Sequence, residues 1–319
     1  MRMRRTLAYL VFAACVVFFV VKNRAAEVRS SGDVRSGDWT ISKSDEPGKV
    51  EFSLIEHHHG GNSQHESDWP ATAFQGVDFS KAGRQDVHFT IIRDAGKVEC
   101  EGFLDNGEGA GIFHFQPDAN YPSEMKSLGF EVDDEKQFAM AVQDVSLDFA
   151  KQMKNEHLSD LDADKLIAFR IFRVDSAFIE ALRAEGLKIS DSDKLVAFRI
   201  HGVTPQMVRS LHQAGYSPDE DTLIAMRIHG ATPEWMEQLK QRGYDHVDLE
   251  KLIAFRIHGV SPEFIQKLQG LGYSHPDPDE LIAMRIHNVT PEYISDMRSR
   301  GIHDLSIDQL VSMKIHGID

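Results

Sequence analysis

The second half of the chain repeats one arrangement of apolar and charged residues. A seven-residue motif with the pattern Leu-Ile-Ala-Phe-Arg-Ile-His recurs there, and each copy begins 29 residues after the one before it, apart from one interval of 28 residues. The six copies are Leu166–Phe172, Leu195–His201, Leu223–His229, Leu252–His258, Leu281–His287 and Leu310–His316. A fixed period of this length is typical of stacked structural repeats, each of which needs its neighbours to bury its apolar face.

Each repeat is predicted to contain two short helices. The first helix carries the motif and ends at a glycine such as Gly202, which adopts the left-handed C-cap conformation at low cost. The second helix begins at a pair such as Thr204-Pro205, where the hydroxyl caps free N–H groups and proline loses no hydrogen bond. Apolar residues at i, i+1 and i+4 give the second helix one stripe, whereas the first helix is apolar nearly all round. We therefore expect the first helix to be the buried one.

Apolar and polar residues alternate in the segment before the repeats, which predicts β-strands. The alternation is clearest in Val50–Ile55, in Val87–Ile92 and from Val98 to Cys100. Asp105-Asn-Gly107 is a hairpin signal, and it leads into a further strand over Gly111–Phe115.

These patterns divide the chain into four parts. Residues 24–36 are small and polar and predict a linker, residues 37–116 predict a small antiparallel β domain, and residues 117–319 predict a helical repeat array. The expected fold class is mainly α: an α-solenoid of two-helix repeats that follows a small antiparallel β segment and an N-terminal membrane anchor or signal.

The N-terminal residues predict export from the cytoplasm. Basic residues in Met1–Arg5 precede an uncharged, mostly apolar run from Thr6 to Val21, which is long for a signal-peptide core and slightly short for a membrane span. We expect residues 1–23 to be a signal-anchor, a transmembrane helix in the inner membrane, or a cleaved signal peptide. The body of the protein would then lie in the cell envelope, either as an anchored periplasmic domain or as a secreted protein.

Charge and cysteine content exclude several classes of function. The formal net charge of −15 disfavours nucleic acid as a partner, because phosphate binding needs clustered positive charge. The chain has two cysteines, and one of them, Cys15, lies in the N-terminal apolar run, so no intramolecular disulfide framework is expected. No Ser/His/Asp or Cys/His arrangement typical of nucleophilic catalysis is apparent, which favours a protein without enzymatic activity.

The densest group of metal-ligating side chains is His57, His58 and His59 with the nearby His65. Imidazoles at positions 57 and 59 would share one face of a strand, and such groups bind zinc, copper or nickel. The favoured interpretation is a solvated loop without a binding function, because Gly, Asn, Ser and Gln surround the histidines and no paired carboxylate or thiolate ligands are present. A metal site at His57, His59 and His65, with zinc as the cofactor, is kept as an alternative hypothesis.

The motif also repeats an arginine and a histidine, and stacking would place each in a row. The arginines are Arg170, Arg199, Arg227, Arg256 and Arg285, and the histidines are His201, His229, His258, His287 and His316. One hypothesis is an anion-binding groove or a histidine array that senses pH. The other is structural: each arginine would pair with a glutamate at a helix start, and each histidine would bond C-terminal carbonyls. We favour the structural interpretation, because every copy carries both residues whatever its place in the array.

The repeat resembles the repeats of a known protein family. The run Leu-Ile-Ala-Phe-Arg-Ile-His-Gly-Val-Ser-Pro-Glu-Phe-Ile, from Leu252 to Ile265, is similar to the C-terminal tandem repeats of bacterial membrane metallopeptidases of the β-lactam-sensor antirepressor class. The resemblance covers roughly residues 117–319. The family's peptidase half, with its zinc-binding His-Glu-x-x-His, has no counterpart here, so no catalytic residue carries over. The resemblance implies a sensory or interaction module that faces the envelope.

Together these patterns predict a non-enzymatic scaffold that binds a protein or peptide in the envelope. The predicted partner-binding surface lies on the variable outer faces of the second helices. Its residues are Arg209, His212, Gln213, Gln238, Gln241, Arg242, Gln266, Gln269, Arg298 and Arg300.

Overall fold

The computed structural model of the protein describes residues 35–58 and 61–318, without the side chains of His58 and Gly61. The chain divides into two compact units. Among the described residues, the sheet unit comprises residues 35–58, 61–90 and Val98–Gln116, and the helical unit comprises Ile91–Lys97 and residues 117–318. The turn between the fourth and fifth strands therefore groups with the helices.

The sheet contains six antiparallel strands. They are β1 (Arg35–Lys43), β2 (Lys49–His58), β3 (Gly61–Pro70), β4 (Arg84–Arg93), β5 (Gly96–Asp105) and β6 (Glu108–Pro117), with a short 3-10 turn at Ala71–Ala73. The strand order is β3-β2-β1-β6-β5-β4, so the first strand lies in the middle of the sheet and pairs with the second and the last. The hairpin predicted at Asp105-Asn-Gly107 is confirmed, because Asn106 and Gly107 both have the positive φ of a two-residue turn.

One face of the sheet packs around aromatic side chains. Phe52 contacts Trp69 and Phe74 edge to face, with ring centroids 5.4 and 5.1 Å apart. Trp39 is fully buried and donates its indole N–H to the carbonyl of Glu101 at 3.2 Å. Gly111 leaves room for that indole, because a Cβ there would lie 2.7 Å from Trp39 Nε1.

The sheet is larger than its sequence predicted. β1 begins at Arg35, inside the segment assigned to the linker, and β3 occupies residues assigned to a solvated loop. Both strands are rich in polar residues; β3 lacks the alternation that revealed β2, and in β1 the apolar residues of the alternation are only Trp39 and Ile41. β3 is an edge strand paired only with β2, so its place depends on the backbone hydrogen bonds of that partner.

Fourteen helices follow the sheet in the described residues. They are α1 (Tyr121–Leu128), α2 (Asp134–Val142), α3 (Leu147–Asn155), α4 (Ala163–Ile171), α5 (Ser176–Ala184), α6 (Ser192–His201), α7 (Pro205–Gln213), α8 (Glu220–His229), α9 (Pro233–Lys240), α10 (Leu249–His258), α11 (Pro262–Gly270), α12 (Pro278–Ile286), α13 (Pro291–Ser299) and α14 (Ile307–Ile315). The even-numbered helices from α4 onwards carry the motif and are called first helices; the odd-numbered ones are the second helices.

The caps that the sequence predicted are present at the helix ends. The hydroxyl of Thr204 accepts a hydrogen bond from the N–H of Met207, and the Ser261 hydroxyl accepts one from Phe264 in the same way. Gly202, Gly230 and Gly259 end first helices in the left-handed conformation, with φ between 71° and 76°. The ends of these short helices are thus set by the residues immediately before and after them.

Helices of the same kind pack on each other from one repeat to the next. Contacts join α2 to α4, α4 to α6 and onwards through α14, and second helices are joined in the same way, as α7 is to α9. The expected fold class, a mainly α solenoid after a small β segment, is nevertheless wrong. A six-stranded sheet accounts for residues 35–117, so the described chain is an α+β protein. The sequence underestimates the sheet because the polar strands give a weaker pattern than the helical motif.

The prediction of a transmembrane helix also needs correction for the described part of the chain. No helix there is long and apolar enough to cross a membrane. Residues 1–23, for which the signal-anchor was predicted, lie outside the described residues.

Candidate interaction surface

The motif places one isoleucine of each first helix in solvent. The first and fourth positions of the motif, such as Leu223 and Met226, are fully buried, so the sixth position falls on the opposite side of the helix. The sixth-position residues form what we call the isoleucine row. They are Ile171, Ile200, Ile228, Ile257, Ile286 and Ile315, with between 37% and 58% of each residue exposed. The expectation that the first helix would be the buried one is therefore wrong for this face.

Half-buried apolar side chains widen the row. The second and third motif positions lie one turn before the isoleucine, so they share its face of the helix. Ile224, Ala225, Ile253 and Ala254 are half-buried there, and the equivalent pair in α12 is too. The solvent-facing side of each first helix is thus apolar along most of its length, and neighbouring helices continue it from repeat to repeat.

The arginines of the motif form a second row, which we call the guanidinium row. Arg227 donates its Nε–H to the carbonyl of His201, the last residue of the preceding first helix, at 2.9 Å. Arg256 bonds the His229 carbonyl in the same way at 3.1 Å, and Arg285 bonds the His258 carbonyl at 3.2 Å. These carbonyls have no partner within their own helix, so each arginine satisfies the end of its neighbour. The expected glutamate partners are not used: each Nε–H goes to a carbonyl.

A glycine makes room for each guanidinium. A Cβ added at Gly202 would lie 2.8 Å from Arg227 Nη2, and one at Gly230 would lie 2.9 Å from Arg256 Nη2. The C-cap glycine therefore has two functions: it takes the left-handed conformation, and it leaves a flat surface for the arginine of the next repeat.

Aromatic rings of the second helices hold the other side of the guanidinium. Arg256 lies 5.1 Å from the ring centre of Trp235, and Arg199 lies 3.7 Å from that of Phe178. In α14 the arginine is replaced by Lys314, which lies 4.0 Å over Tyr293. Arg170, Arg256 and Arg285 thus contact both helices of the preceding repeat, one through a carbonyl and the other through an aromatic ring.

Most of the guanidinium row has no carboxylate partner. Arg170 forms an ion pair with Asp144 at 2.7 Å, but within the described residues no carboxylate lies within 4 Å of Arg199, Arg227 or Arg256. These three side chains are exposed, so their positive charge faces solvent. Desolvation by the packed neighbours lowers the pKa of Arg199, the nearby carboxylate of Asp175 opposes this shift, and Arg173 lowers the pKa further to a smaller extent.

One acidic residue at the other end of several first helices is paired with a lysine of the preceding first helix or of its counterpart before the array. Lys136 pairs with Asp164 of the next first helix at 3.0 Å, and the same pairing recurs from Lys165 to Asp193 and from Lys194 to Asp221. Lys251 and Asp279 repeat it further along. The hydrogen bond to Asp221 raises the pKa of Lys194. The two sides of the isoleucine row therefore differ. The lysine–aspartate pairs lie at the start of the first helices, on one side of the row, and guanidinium groups without an ion pair lie near the end of these helices, on the other side.

The predicted partner-binding residues lie where the sequence placed them, on the second helices and the turns after them, but most bond to neighbouring groups. Arg209 donates to Glu185 at 3.0 Å, Arg242 donates to Gln266 at 2.9 Å, and Gln269 donates to the Arg242 carbonyl at 3.0 Å. Arg298 donates to the Leu271 carbonyl at 2.6 Å, and Arg300 pairs with Asp296. His212, Gln213, Gln238 and Gln241 are exposed. Much of this surface therefore holds repeats together.

The histidine row borders the same first helices. His201 is half-buried, and desolvation lowers its pKa below the ordinary value. His316 donates from Nδ1 to the Ser312 carbonyl of its own helix at 2.7 Å, as the structural interpretation expects. The carbonyls of His201, His229 and His258 are the acceptors of the guanidinium row, so the backbone of these histidines contributes directly to the junctions.

The predicted metal ligands do not meet. His57 pairs across the strands with Asn62, and His65 pairs with Leu54. Because side chains alternate along a strand, His57 and His65 lie on opposite faces of the sheet. His57 contacts Asp38 at 2.7 Å and Asn62 at 3.0 Å, and these hydrogen bonds raise its pKa, whereas burial lowers the pKa of His65. His59 lies outside the described residues.

In the part of the chain that the structure describes, one acidic group is spaced closely enough to hold a cation. Carboxylate oxygens of Asp160, Asp191 and Asp193 lie within 4.8 Å of one another. Each already has a structural role: Asp160 accepts the N–H of Ser192, Asp191 caps α6, and Asp193 pairs with Lys165. We therefore assign the group to the start of α6.

A shallow cavity of about 880 Å³ lies on the sheet unit. It is lined by carboxylates of Asp38, Asp86 and Glu101 and by apolar groups that include Ile55 and Ile112. Sequence reasoning missed this surface, because its residues come from separate strands. Cys100 is fully buried, and desolvation strongly raises the pKa of its thiol, which argues against a reactive nucleophile.

Comparisons with known proteins identify no family. No family model, curated protein or solved structure matches the chain. The resemblance to the repeats of antirepressor-class metallopeptidases stays a prediction.

Proposed function

We propose that this protein is a non-enzymatic scaffold that binds a protein or peptide along the isoleucine row. The observation that carries the proposal is the exposure of the same isoleucine in all six copies of the motif. Single exposed apolar residues are common on soluble proteins, but a continuous apolar surface usually marks a site of interaction. Burial of these isoleucines is incomplete, with 37–58% of each residue exposed, so packing alone does not account for an apolar residue at this position in every copy.

The second-helix surface is the weaker candidate. Its arginines and two of its glutamines are hydrogen-bonded to neighbouring groups, and a partner would have to break those bonds. The isoleucine row has no such competing contacts, because a partner displaces only water there. The proposed site therefore moves from the second helices to the first helices.

We place this function in the cell envelope. The support is the sequence of residues 1–21, in which a basic start precedes an uncharged apolar run. A reporter enzyme that is active only outside the cytoplasm, fused after Asp319, should be active. An inactive reporter on a stably expressed fusion would contradict the placement.

The proposal is tested by crosslinking in envelope fractions, with two variants of the full chain compared. Ile228→Glu with Ile257→Glu places two carboxylates in the middle of the row. Ile302→Glu is the matched control, because Ile302 is also exposed, at 39%, and lies outside the row. We expect a partner that crosslinks to the natural chain to be lost from the double variant, by about tenfold or more, and kept by the control.

Circular dichroism and thermal unfolding of both variants establish that they fold alike. Equal recovery of every crosslinked partner from the double variant and the control would contradict the proposed function.

A further inference from the structure

The spacing of the isoleucine row indicates which conformation a peptide must have to follow it. Helices that pack side by side have axes about 8–10 Å apart. The first helices pack in this way from α4 to α14, so the row offers one isoleucine about every 8–10 Å. A ligand that uses several isoleucines needs apolar side chains with the same spacing on one side.

Three regular conformations can be compared with this spacing. A β-strand presents side chains on one face about every 6.8 Å, and an α-helix presents them about every 5.4 Å, so both fall out of step with the row. A polyproline II helix has three residues per turn and rises about 3.1 Å per residue, so every third side chain points the same way about every 9 Å. Of the three conformations, this one matches the expected spacing of the row most closely, since two turns of an α-helix advance about 10.8 Å.

Charge selects the polar residues of the ligand. The guanidinium groups of Arg199, Arg227 and Arg256 lie along one side of the row. They are exposed and form no ion pair with a carboxylate of the described residues. On the other side of the row, Asp193, Asp221 and Asp279 are each paired with a lysine. Carboxylates of a ligand would therefore find cations without an ion-pair partner only on the guanidinium side of the row.

We propose that the isoleucine row binds an acidic polypeptide segment in the polyproline II conformation, with an apolar residue at every third position. This inference rests on the proposed function and specifies its partner. Each apolar side chain would lie against one isoleucine and the half-buried alanine beside it. The intervening acidic residues would approach the guanidinium row, whose Nε–H groups stay bonded to the helix carbonyls and whose Nη groups face the ligand.

The probe is a fluorescent peptide of six Leu-Pro-Glu units, titrated against the full chain and followed by anisotropy. Three comparisons accompany it: a peptide of the same composition with irregularly spaced leucines, a Leu-Pro-Lys peptide, and the first peptide at raised salt. We expect the regular acidic peptide to bind about tenfold more tightly than each control peptide. Raised salt should weaken it, because exposed charges are screened.

The two variants described above assign the binding to the row. Ile228→Glu with Ile257→Glu should weaken the peptide about tenfold, and Ile302→Glu should leave its affinity within about twofold. Equal affinity for the regular and irregular peptides, or for the acidic and basic peptides, would overturn the inference. So would unchanged affinity in the double variant.

Self-association gives a separate outcome. Sedimentation of the full chain that shows a dimer, lost in the double variant, would mean that a second copy covers the row, and the peptide inference would be wrong. If crosslinking to a native partner depends on the row but the peptide does not bind, the proposed function stands and only the inference about the ligand fails.

Discussion

At the scale of single residues, the position after the motif controls how two repeats meet. Glycine occupies it in Gly202, Gly230 and Gly259, where a left-handed backbone and an approaching guanidinium both exclude a side chain. Arg173 occupies the same position after α4, with φ of 58°, and Arg199 lies close enough for its pKa to be lowered by that second positive charge. This junction departs from the pattern of the others.

Arg173→Gly should therefore stabilise the protein. The left-handed conformation costs a non-glycine residue about 1 kcal/mol, and the change also removes a like charge from the vicinity of Arg199. We expect the free energy of unfolding to rise by about 0.5–1 kcal/mol, after allowance for the greater freedom of glycine in the unfolded chain. Urea unfolding followed by circular dichroism measures the change.

Asn288→Gly is the matched control, because Asn288 has φ of 57° at the equivalent position after α12. Asparagine tolerates this conformation better than arginine, so the gain there should be smaller. The opposite change, Gly202→Arg, should destabilise, since its side chain would meet Arg227. A loss of stability in Arg173→Gly would show that contacts of the arginine side chain outweigh its backbone strain.

At the scale of elements, a tyrosine after the second helix links neighbouring repeats. Tyr216 donates its hydroxyl to the Val247 carbonyl at 3.0 Å, Tyr244 to the Pro276 carbonyl at 2.6 Å, and Tyr273 to the Leu305 carbonyl at 2.7 Å. Each acceptor lies in the equivalent turn one repeat further along, just before a first helix. The hydroxyl therefore fixes a turn that has little regular structure of its own.

Tyr244→Phe should lower the free energy of unfolding by about 1 kcal/mol at pH 7, because the buried Pro276 carbonyl loses its donor. Desolvation raises the pKa of Tyr244 to about 12. A raised pKa means that the protonated tyrosine contributes stability below its unfolded value of about 10, and that this contribution disappears as pH rises towards 12. The difference between the natural chain and the variant should therefore shrink between pH 10 and pH 12.

Urea unfolding of both proteins over this range is the measurement. The phenylalanine variant keeps the ring and loses only the hydroxyl, so it isolates the hydrogen bond from the packing. A difference that stays constant from pH 7 to pH 12 would contradict the link between the hydroxyl and the turn.

The sequence predicted those elements whose causes are local. The start and the end of a helix depend on residues within one turn of them, such as Thr204 and Gly202, so both can be predicted from the sequence. The exposed face was mispredicted because isoleucine is usually buried, and only the stacking of helices decides which side of an apolar helix meets solvent. The sequence predicts Gly202 only as a helix C-cap. Its contact with Arg227 is not predicted, because that arginine comes from the next repeat.

At the scale of the whole molecule, the helical unit is held together mainly by contacts between neighbouring repeats. Every junction described above joins residues that are one repeat apart, as with Arg256 and His229 or Lys251 and Asp279. Stability built from such contacts is close to a sum over repeats and their junctions. The number of repeats should therefore be adjustable without a new core.

Removing Leu223–Lys251 tests this expectation, because the deletion joins Thr222 to Leu252 and restores the motif. Arg256 would then take the place of Arg227 against Gly202. We expect a folded protein whose unfolding slope in urea is smaller in proportion to the surface lost. Removing only Leu223–Glu237 is the control, because it joins the start of a first helix to the middle of a second one and should prevent cooperative unfolding. An unfolded first variant would indicate that distant repeats depend on one another.

The identical glycine–arginine junctions have a consequence for the gene. Recombination between misaligned copies of this coding sequence would add or remove one unit of 28 or 29 codons. The hybrid boundary would again bring an arginine onto a glycine cap, as Arg227 lies on Gly202 and Arg285 lies on Gly259. The number of isoleucines in the row could therefore change in one genetic event, without selection for a new junction between repeats.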